Sequence, residues 1–111
     1  MPQIIIDGKS VEVDKEGYLT NLDDWSPNAA NELALADDIS LSDAHWEVIH
    51  ALRAFYSEYQ LSPAMRPLVK YIGRTLGNDK GKSIYLLQLF PGSPAKIAAR
   101  IAGLPKPTNC M

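Results

Sequence analysis

The sequence predicts an α+β protein that is mostly α: a small helical bundle with an N-terminal β-hairpin and a flexible C-terminal arm. Asp7-Gly8, a pair typical of hairpin turns, lies between two short runs of β-branched residues. Two prolines, Pro105 and Pro107, precede the C-terminus and prevent a helix from continuing there. Serine–proline pairs, which are typical of helix starts, occur at Ser26-Pro27, Ser62-Pro63 and Ser93-Pro94.

Length and composition indicate one domain spanning residues 1–111. The chain has 111 residues, of which 46% are apolar and 22% charged, an ordinary balance for a globular protein. It contains no apolar run of about 18 residues, so no membrane span or membrane partner is expected. The N-terminus also lacks a secretory signal pattern, and a single cysteine excludes an intrachain disulfide. A cytoplasmic protein is therefore the expectation.

The N-terminal third is predicted to hold the hairpin and a short turn. The runs 4–6 and 11–13 are short β-type segments on either side of Asp7-Gly8, as in an antiparallel hairpin. Thr20 is expected to cap a short turn that extends through Trp25. Because an isolated hairpin is only marginally stable, it must pack against a helix.

Five helices are predicted after the hairpin. Apolar residues recur at helical spacing, serines precede the starts, and Gly77 and Gly103 provide stops. The run 82–90 is very apolar and fits a buried helix or a strand, with a helix favoured. The five predicted ranges are about 27–37, 43–59, 62–76, 82–90 and 94–102.

The second and third predicted helices form a helix-turn-helix-like pair. Arg66, Lys70 and Arg74 recur every four residues on one stripe of the third helix and could face phosphate. An ordinary helical hairpin with a solvated basic face is the more common outcome. Pro-Ala-Met at the start of the third helix offers few groups that read bases, so DNA binding is the minor alternative.

Charge is divided unevenly along the chain. Residues 1–60 carry three basic and twelve acidic side chains, a net of −9. Residues 61–111 carry eight basic side chains and one acidic, a net of +7. This asymmetry indicates either a charged partner for one half or attraction between the two halves of the fold.

The single cysteine, Cys110, lies one residue from the C-terminus at the end of the arm 104–111. An eight-residue arm spans at most about 26–29 Å, so a thiol at its tip would be exposed and able to react. Lys106 and Arg100 are candidates for steering a partner or supporting a thiolate, whereas the carboxylate of Met111 opposes thiolate formation. The alternative is an incidental free thiol.

The sequence contains no clear pattern for a metal site or a phosphate-binding loop. His45 and His50 are separated by about 140° around a helix, so they do not share a face for a metal ion. No Gly-rich phosphate loop is present, since the stretch 77–82 lacks the required spacing. No metal or cofactor is expected.

Together these residues resemble the TusE/DsrC family. The segment 102–110, with its cysteine, two prolines and near-terminal position, is the most specific match. Trp25, the Ser-Asp-x-His-Trp stretch at 42–46 and Pro-Leu-Val-Lys at 67–70 extend the resemblance along the chain. In DsrC proper, the partner of dissimilatory sulfite reductase, ten residues separate a second cysteine from the terminal one; here Ala99 occupies that position.

The resemblance, with one cysteine present, implies the TusE branch. That branch implies a persulfide carrier on Cys110, a sulfurtransferase component more than a stand-alone enzyme. It would take sulfur from a TusBCD-like donor complex and pass it to an MnmA-like thiouridylase with tRNA, for wobble 2-thiouridine. The alternatives left open are a DsrC-like partner of sulfite reductase and a helix-turn-helix nucleic-acid-binding regulator.

Overall fold

The computed structural model describes residues 2–107, so Cys110 lies outside the described residues. The predicted class, α+β and mostly α, is confirmed. The described chain contains a two-stranded sheet, a short 3₁₀ helix and five α-helices. In chain order these are β1 (Gln3–Ile6), β2 (Lys9–Glu12), the 3₁₀ helix (Leu22–Asp24), α1 (Pro27–Leu35), α2 (Asp43–Tyr59), α3 (Met65–Leu76), α4 (Ser83–Leu89) and α5 (Pro94–Ile101).

The N-terminal hairpin is confirmed. Strands β1 and β2 are antiparallel, with Ile4 opposite Val11. The turn residues Asp7 and Gly8 have φ angles of 53° and 81°, which is the requirement of a two-residue turn that matches strand twist. The hairpin packs against α1, where Asn28 Nδ2 donates to the Asp7 carboxylate at 2.9 Å.

Serine residues begin two of the helices as predicted. Ser26 Oγ accepts from the Ala29 N–H at 3.1 Å, at the start of α1. At the start of α2, Ser42 Oγ accepts from the His45 N–H, and His45 Nδ1 accepts from the Ser42 N–H at 3.0 Å. This reciprocal arrangement satisfies two N–H groups that would otherwise lack partners.

The predicted start of α3 at Ser62-Pro63 is wrong, because the helix begins at Met65. Ser62 is buried and its Oγ donates to Pro105 O at 2.5 Å. The serine is therefore engaged with the C-terminal segment and does not cap the helix that follows it. A local sequence pattern cannot reveal such a long-range partner.

The predicted cap at Thr20 is also wrong. Asn21 caps the 3₁₀ helix, with its Oδ1 accepting from the Asp23 N–H at 3.0 Å. Thr20 Oγ1 instead donates to Glu12 Oε1 at 3.0 Å. The other ranges agree within a few residues, including the helical choice for the run that forms α4.

Helix α5 is at the centre of the protein. It contacts α1, α2, α3 and α4. Its alanines Ala98 and Ala99 and its last residue Ile101 are fully buried, and the small alanine side chains let the neighbouring helices approach closely. No helix within residues 2–107 is both long and apolar enough to cross a membrane. Gly103 and Leu104, which follow α5, are also buried.

Candidate functional site

The arm leaves α5 at Gly103, where only glycine fits. Gly103 has a φ of +74°, and a Cβ at this position would lie 2.2 Å from Trp25 Cδ1. The Gly103 N–H donates to Arg100 O at 3.1 Å, and the Leu104 N–H donates to Ala99 O at 2.9 Å. These two bonds form a Schellman motif, which ends the helix and fixes the direction of the chain that follows.

Trp25 and Arg53 hold the last carbonyl groups of α5. Trp25 Nε1 donates to Ile101 O at 2.9 Å, and Arg53 Nη1 donates to Ala102 O at 2.6 Å. The guanidinium carbon of Arg53 also lies 3.8 Å from the centroid of the Trp25 ring. Partial burial lowers the pKa of Arg53, because desolvation disfavours its charged form.

We call Trp25, Arg53 and Gly103 together the arm clamp. In the sequence, Arg53 counted only as one of the basic residues of the first half, and Trp25 only as the end of a short turn and as part of the family resemblance. The end of a helix leaves carbonyl groups without partners, so donors had to exist somewhere in the chain. Which side chains supply them depends on tertiary packing, and no local pattern indicates it.

The first residues of the predicted arm, 104–107, pack against the body of the protein. Leu104 is 3% exposed, and Pro107 is buried. Pro105 O accepts the bond from Ser62. Lys106 Nζ lies 3.0 Å from Glu16 Oε1. We call these four residues the arm base, and their contacts mean that the arm is anchored well beyond its first residue.

Lys106 and Arg100, predicted as supporting residues, have very different surroundings. Lys106 is exposed, and its ion pair with Glu16 lies at the surface, where such pairs contribute little stability. Arg100 is buried, donates to Leu33 O at 3.2 Å and pairs with the Asp37 carboxylate. Burial lowers the pKa of Arg100. Its guanidinium is therefore engaged in the interior, on the α1 side.

A groove of about 560 Å³ adjoins the arm base. Glu16, which binds Lys106, belongs to its wall, as do Tyr18 and Lys96. Tyr18 donates from its hydroxyl to Lys96 O at 3.1 Å. The groove carries charges of both signs, since Lys15, Glu16, Asp37 and Lys96 all line it. Charged and polar groups are therefore exposed beside the arm base.

Both histidines contact other residues of the fold. His45 Nε2 lies 2.8 Å from Leu89 O, so this nitrogen donates while Nδ1 accepts from Ser42. His50 lies beside Trp46, with ring centroids 5.6 Å apart. Over residues 2–107, no group of three acidic, histidine or cysteine side chains is arranged to hold a metal ion.

The basic stripe of α3, formed by Arg66, Lys70 and Arg74, is exposed to solvent.

Comparison with known proteins identifies similar chains over nearly the whole length. Residues 5–111 match the family model described as DsrC like protein. Sulfurtransferase TusE of Sodalis glossinidius is 53% identical over 104 residues, which cover 94% of this chain and 96% of the relative. Sulfurtransferase TusE of Escherichia coli is 49% identical over 108 residues, covering 97% of this chain and 99% of the relative.

Solved structures support the same grouping. The NMR structure of DsrC from Allochromatium vinosum superposes with a TM-score of 0.89 at 52% identity, covering 98% of this chain and 97% of that one. The oxidized γ-subunit of the dissimilatory sulfite reductase (DsrC) from Archaeoglobus fulgidus gives 0.82 at 37% identity, covering 99% and 100%. The overall fold is therefore one that solved proteins share.

Proposed function

This chain belongs to the DsrC-like protein family and acts in a sulfur relay, and from that premise we propose that Cys110 carries the sulfur as a persulfide. The observation that carries this proposal is the anchored arm base, 104–107, which ends three residues before the only cysteine of the chain. Three residues span at most about 10–11 Å, so the anchor limits where the thiol can go.

The proposed loading step is a transfer of sulfane sulfur without net oxidation. The Cys110 thiolate attacks the outer sulfur of a donor persulfide, and a new S–S bond forms at Cys110. The S–S bond of the donor breaks, and its electron pair leaves with the donor thiolate. The transferred sulfur keeps its proton, so Cys110 becomes a persulfide and the donor becomes a thiolate. In the second step the Cys110 persulfide is the donor: the acceptor takes its outer sulfur, and Cys110 leaves as a thiolate.

A lone thiol suits a carrier of this kind. The chain has one cysteine, so no second thiol of the same chain can attack the Cys110 persulfide and release its sulfur prematurely. Delivery also requires one atom to enter two different partner pockets in turn. A cysteine beyond an anchored arm base can do this, whereas a cysteine in the core cannot.

The partners we propose follow from the relatives named TusE. In this proposal the donor is a TusBCD-like complex, and the acceptor is an MnmA-like thiouridylase with its tRNA. The product would be wobble 2-thiouridine, made in the cytoplasm. The basic second half of the chain supports an approach to acidic or phosphate-bearing partners, with an affinity that salt weakens.

A DsrC-like role beside sulfite reductase is the second candidate, and the close superposition on solved DsrC structures favours it. Overall identity does not separate the two roles, because the chain is 53% identical to one TusE and 52% identical to one DsrC. Residue 99 does separate them within the family resemblance. It is alanine here and fully buried, so chemistry that needs two thiols in one chain has no second group.

The supporting residues take different parts in this proposal. Arg100 helps to hold α5, and hence the arm clamp, through its bonds to Leu33 and Asp37. Lys106 is the better candidate for steering, because its ammonium group is at the surface of the arm base. A partner that carries an acidic group could exchange with Glu16 for this lysine.

A reconstituted relay tests the proposal. Wild-type protein, donor complex and acceptor with tRNA are combined, and 2-thiouridine is measured by nucleoside mass spectrometry. We expect Cys110→Ser to abolish product while its thermal unfolding is unchanged. The control Lys9→Ala, at an exposed position of β2, should leave both product formation and thermal unfolding unchanged. Product formation by Cys110→Ser at the wild-type rate would end the proposal.

A further inference from the structure

A groove runs along α3 and α4, and its first cavity adjoins the groove beside the arm base, because both are lined by Gly92, Ser93 and Lys96. It consists of three adjoining cavities of about 340, 300 and 470 Å³. The first two share Met65 and Ser83, and the last two share Val69 and Lys70. On α3 the apolar lining residues Met65, Val69 and Gly73 are four apart, so they form one stripe along the groove.

Two glycines bring α3 into contact with the segment that precedes α4. A Cβ on Gly81 would lie 2.4 Å from the Cα of Gly73, so the two backbones touch directly. Any larger residue at position 81 would push the segment before α4 away from α3. Both glycines line the third cavity, so this close backbone contact shapes its wall.

The edges of the groove combine apolar and basic side chains. Leu87, which lines the first cavity, is 39% exposed, and Ile84, three residues earlier on α4 and outside the lining, is 61% exposed. The second and third cavities are lined by the exposed cations Arg66, Lys70 and Arg74, and a fourth exposed cation, Lys82, directly precedes α4. None of these four takes part in a salt bridge within residues 2–107, so their charges remain available to a partner.

We propose that this α3–α4 groove binds an acidic, amphipathic segment of a partner protein. The apolar stripe and the exposed Ile84 and Leu87 call for apolar side chains, and the surrounding cations call for carboxylates. Phosphates of a nucleic acid would satisfy the cations but would leave the apolar surface uncovered. The combination therefore favours protein over nucleic acid.

The position of the groove connects it with the arm. Its first cavity is also lined by Pro94 and Lys96, at the beginning of α5. Helix α5 has eight residues and is about 12 Å long, so the arm base lies one short helix away from the groove. A docked partner would then have the arm within reach. The inference rests on the proposed function in one respect only: the docked protein is taken to be one that exchanges sulfur with the arm.

A peptide panel tests the groove on the full-length protein. The probe is a fluorescein-labelled amphipathic peptide of about 15 residues, built from leucine and glutamate at helical spacing. We expect it to bind, to shift the amide NMR signals of Val69, Gly73, Ser83 and Leu87, and to bind more weakly as salt rises. Peptides with lysine in place of glutamate, or with shuffled leucines, should bind about tenfold more weakly or not at all.

Variants locate the binding. Combining Lys70→Glu with Arg74→Glu should weaken the acidic peptide about tenfold, and Leu87→Ser should weaken it about threefold. Lys9→Glu, on the hairpin, and Cys110→Ser should bind as the wild type does, which keeps this test separate from that of the persulfide proposal.

Three results would overturn the inference. One is peptide binding that the double charge reversal leaves unchanged. Another is an RNA hairpin that shifts the same signals at lower concentration than the peptide, which would make the groove a nucleic-acid surface. The third is concentration-dependent self-association that buries the groove, which would make a second copy of the chain its occupant.

Discussion

The guanidinium carbon of Arg53 lies 3.8 Å from the centre of the Trp25 ring, and the two side chains donate to successive carbonyl groups at the end of α5. Each side chain therefore helps to position the other, and each donates a hydrogen bond to a carbonyl group that has no partner within the helix. This relationship connects the N-terminal segment, α2 and α5 at the point where the arm begins.

Arg53→Met should destabilise the protein although Arg53 is not in the core. Methionine keeps much of the aliphatic stem but removes the bond to Ala102 O and the contact with the Trp25 ring. We expect the free energy of unfolding to fall by about 2 kcal/mol, measured by urea denaturation. Arg66→Met, on the exposed stripe of α3, is the matched control and should change it by less than about 0.5 kcal/mol. Equal effects would remove the clamp as an explanation.

Gly103→Ala should be far more damaging than Gly8→Ala. Both glycines have a positive φ, so both substitutions cost about 1 kcal/mol of backbone strain. Only at Gly103 does the new Cβ collide with Trp25; at Gly8 nothing lies within 4 Å. We expect Gly103→Ala to lose about 3 kcal/mol or more in urea denaturation. Similar losses for both variants would show that the close contact with Trp25 is unimportant.

Arg100→Met distinguishes a structural role from support of the thiolate. The guanidinium is bound to Leu33 O and Asp37, so we expect a loss of about 1–2 kcal/mol in unfolding free energy. The rate of persulfide loading by folded protein should stay within about twofold of the wild type. Stopped-flow loading below the unfolding transition measures this rate. A tenfold slower rate with the fold intact would mean that Arg100 acts on the thiol directly.

Local sequence patterns predicted most of the secondary structure, because the responsible interactions are themselves local. Asp7-Gly8 sets the hairpin turn, Ser26 and Ser42 cap α1 and α2, and Gly103 ends the C-terminal helical region at its predicted place. Each of these residues acts on atoms within a few positions of itself. Such contacts are present whatever the rest of the chain does.

The errors and omissions involve contacts between distant parts of the chain. Ser62 has the pattern of a helix cap, yet its hydroxyl bonds to Pro105. Arg53 has the pattern of a surface residue on α2, yet it contacts Trp25 and Ala102. Arg100 has the pattern of a basic residue beside a reactive arm, yet it is buried against α1. The spacing of residues along one helix does not indicate which other part of the chain packs against it.

The central claim is that one sulfur atom enters and leaves the chain at Cys110, and isotope tracing tests it most directly. The protein is loaded from a donor persulfide carrying heavy sulfur, and the peptide 101–111 is followed by mass spectrometry before and after the acceptor with tRNA is added. We expect this peptide to gain one labelled sulfur, about 32 Da plus the isotope increment, and to lose it as the label appears in tRNA. Label that reaches tRNA without passing through this peptide, or that stays on the peptide when the acceptor turns over, would contradict the account.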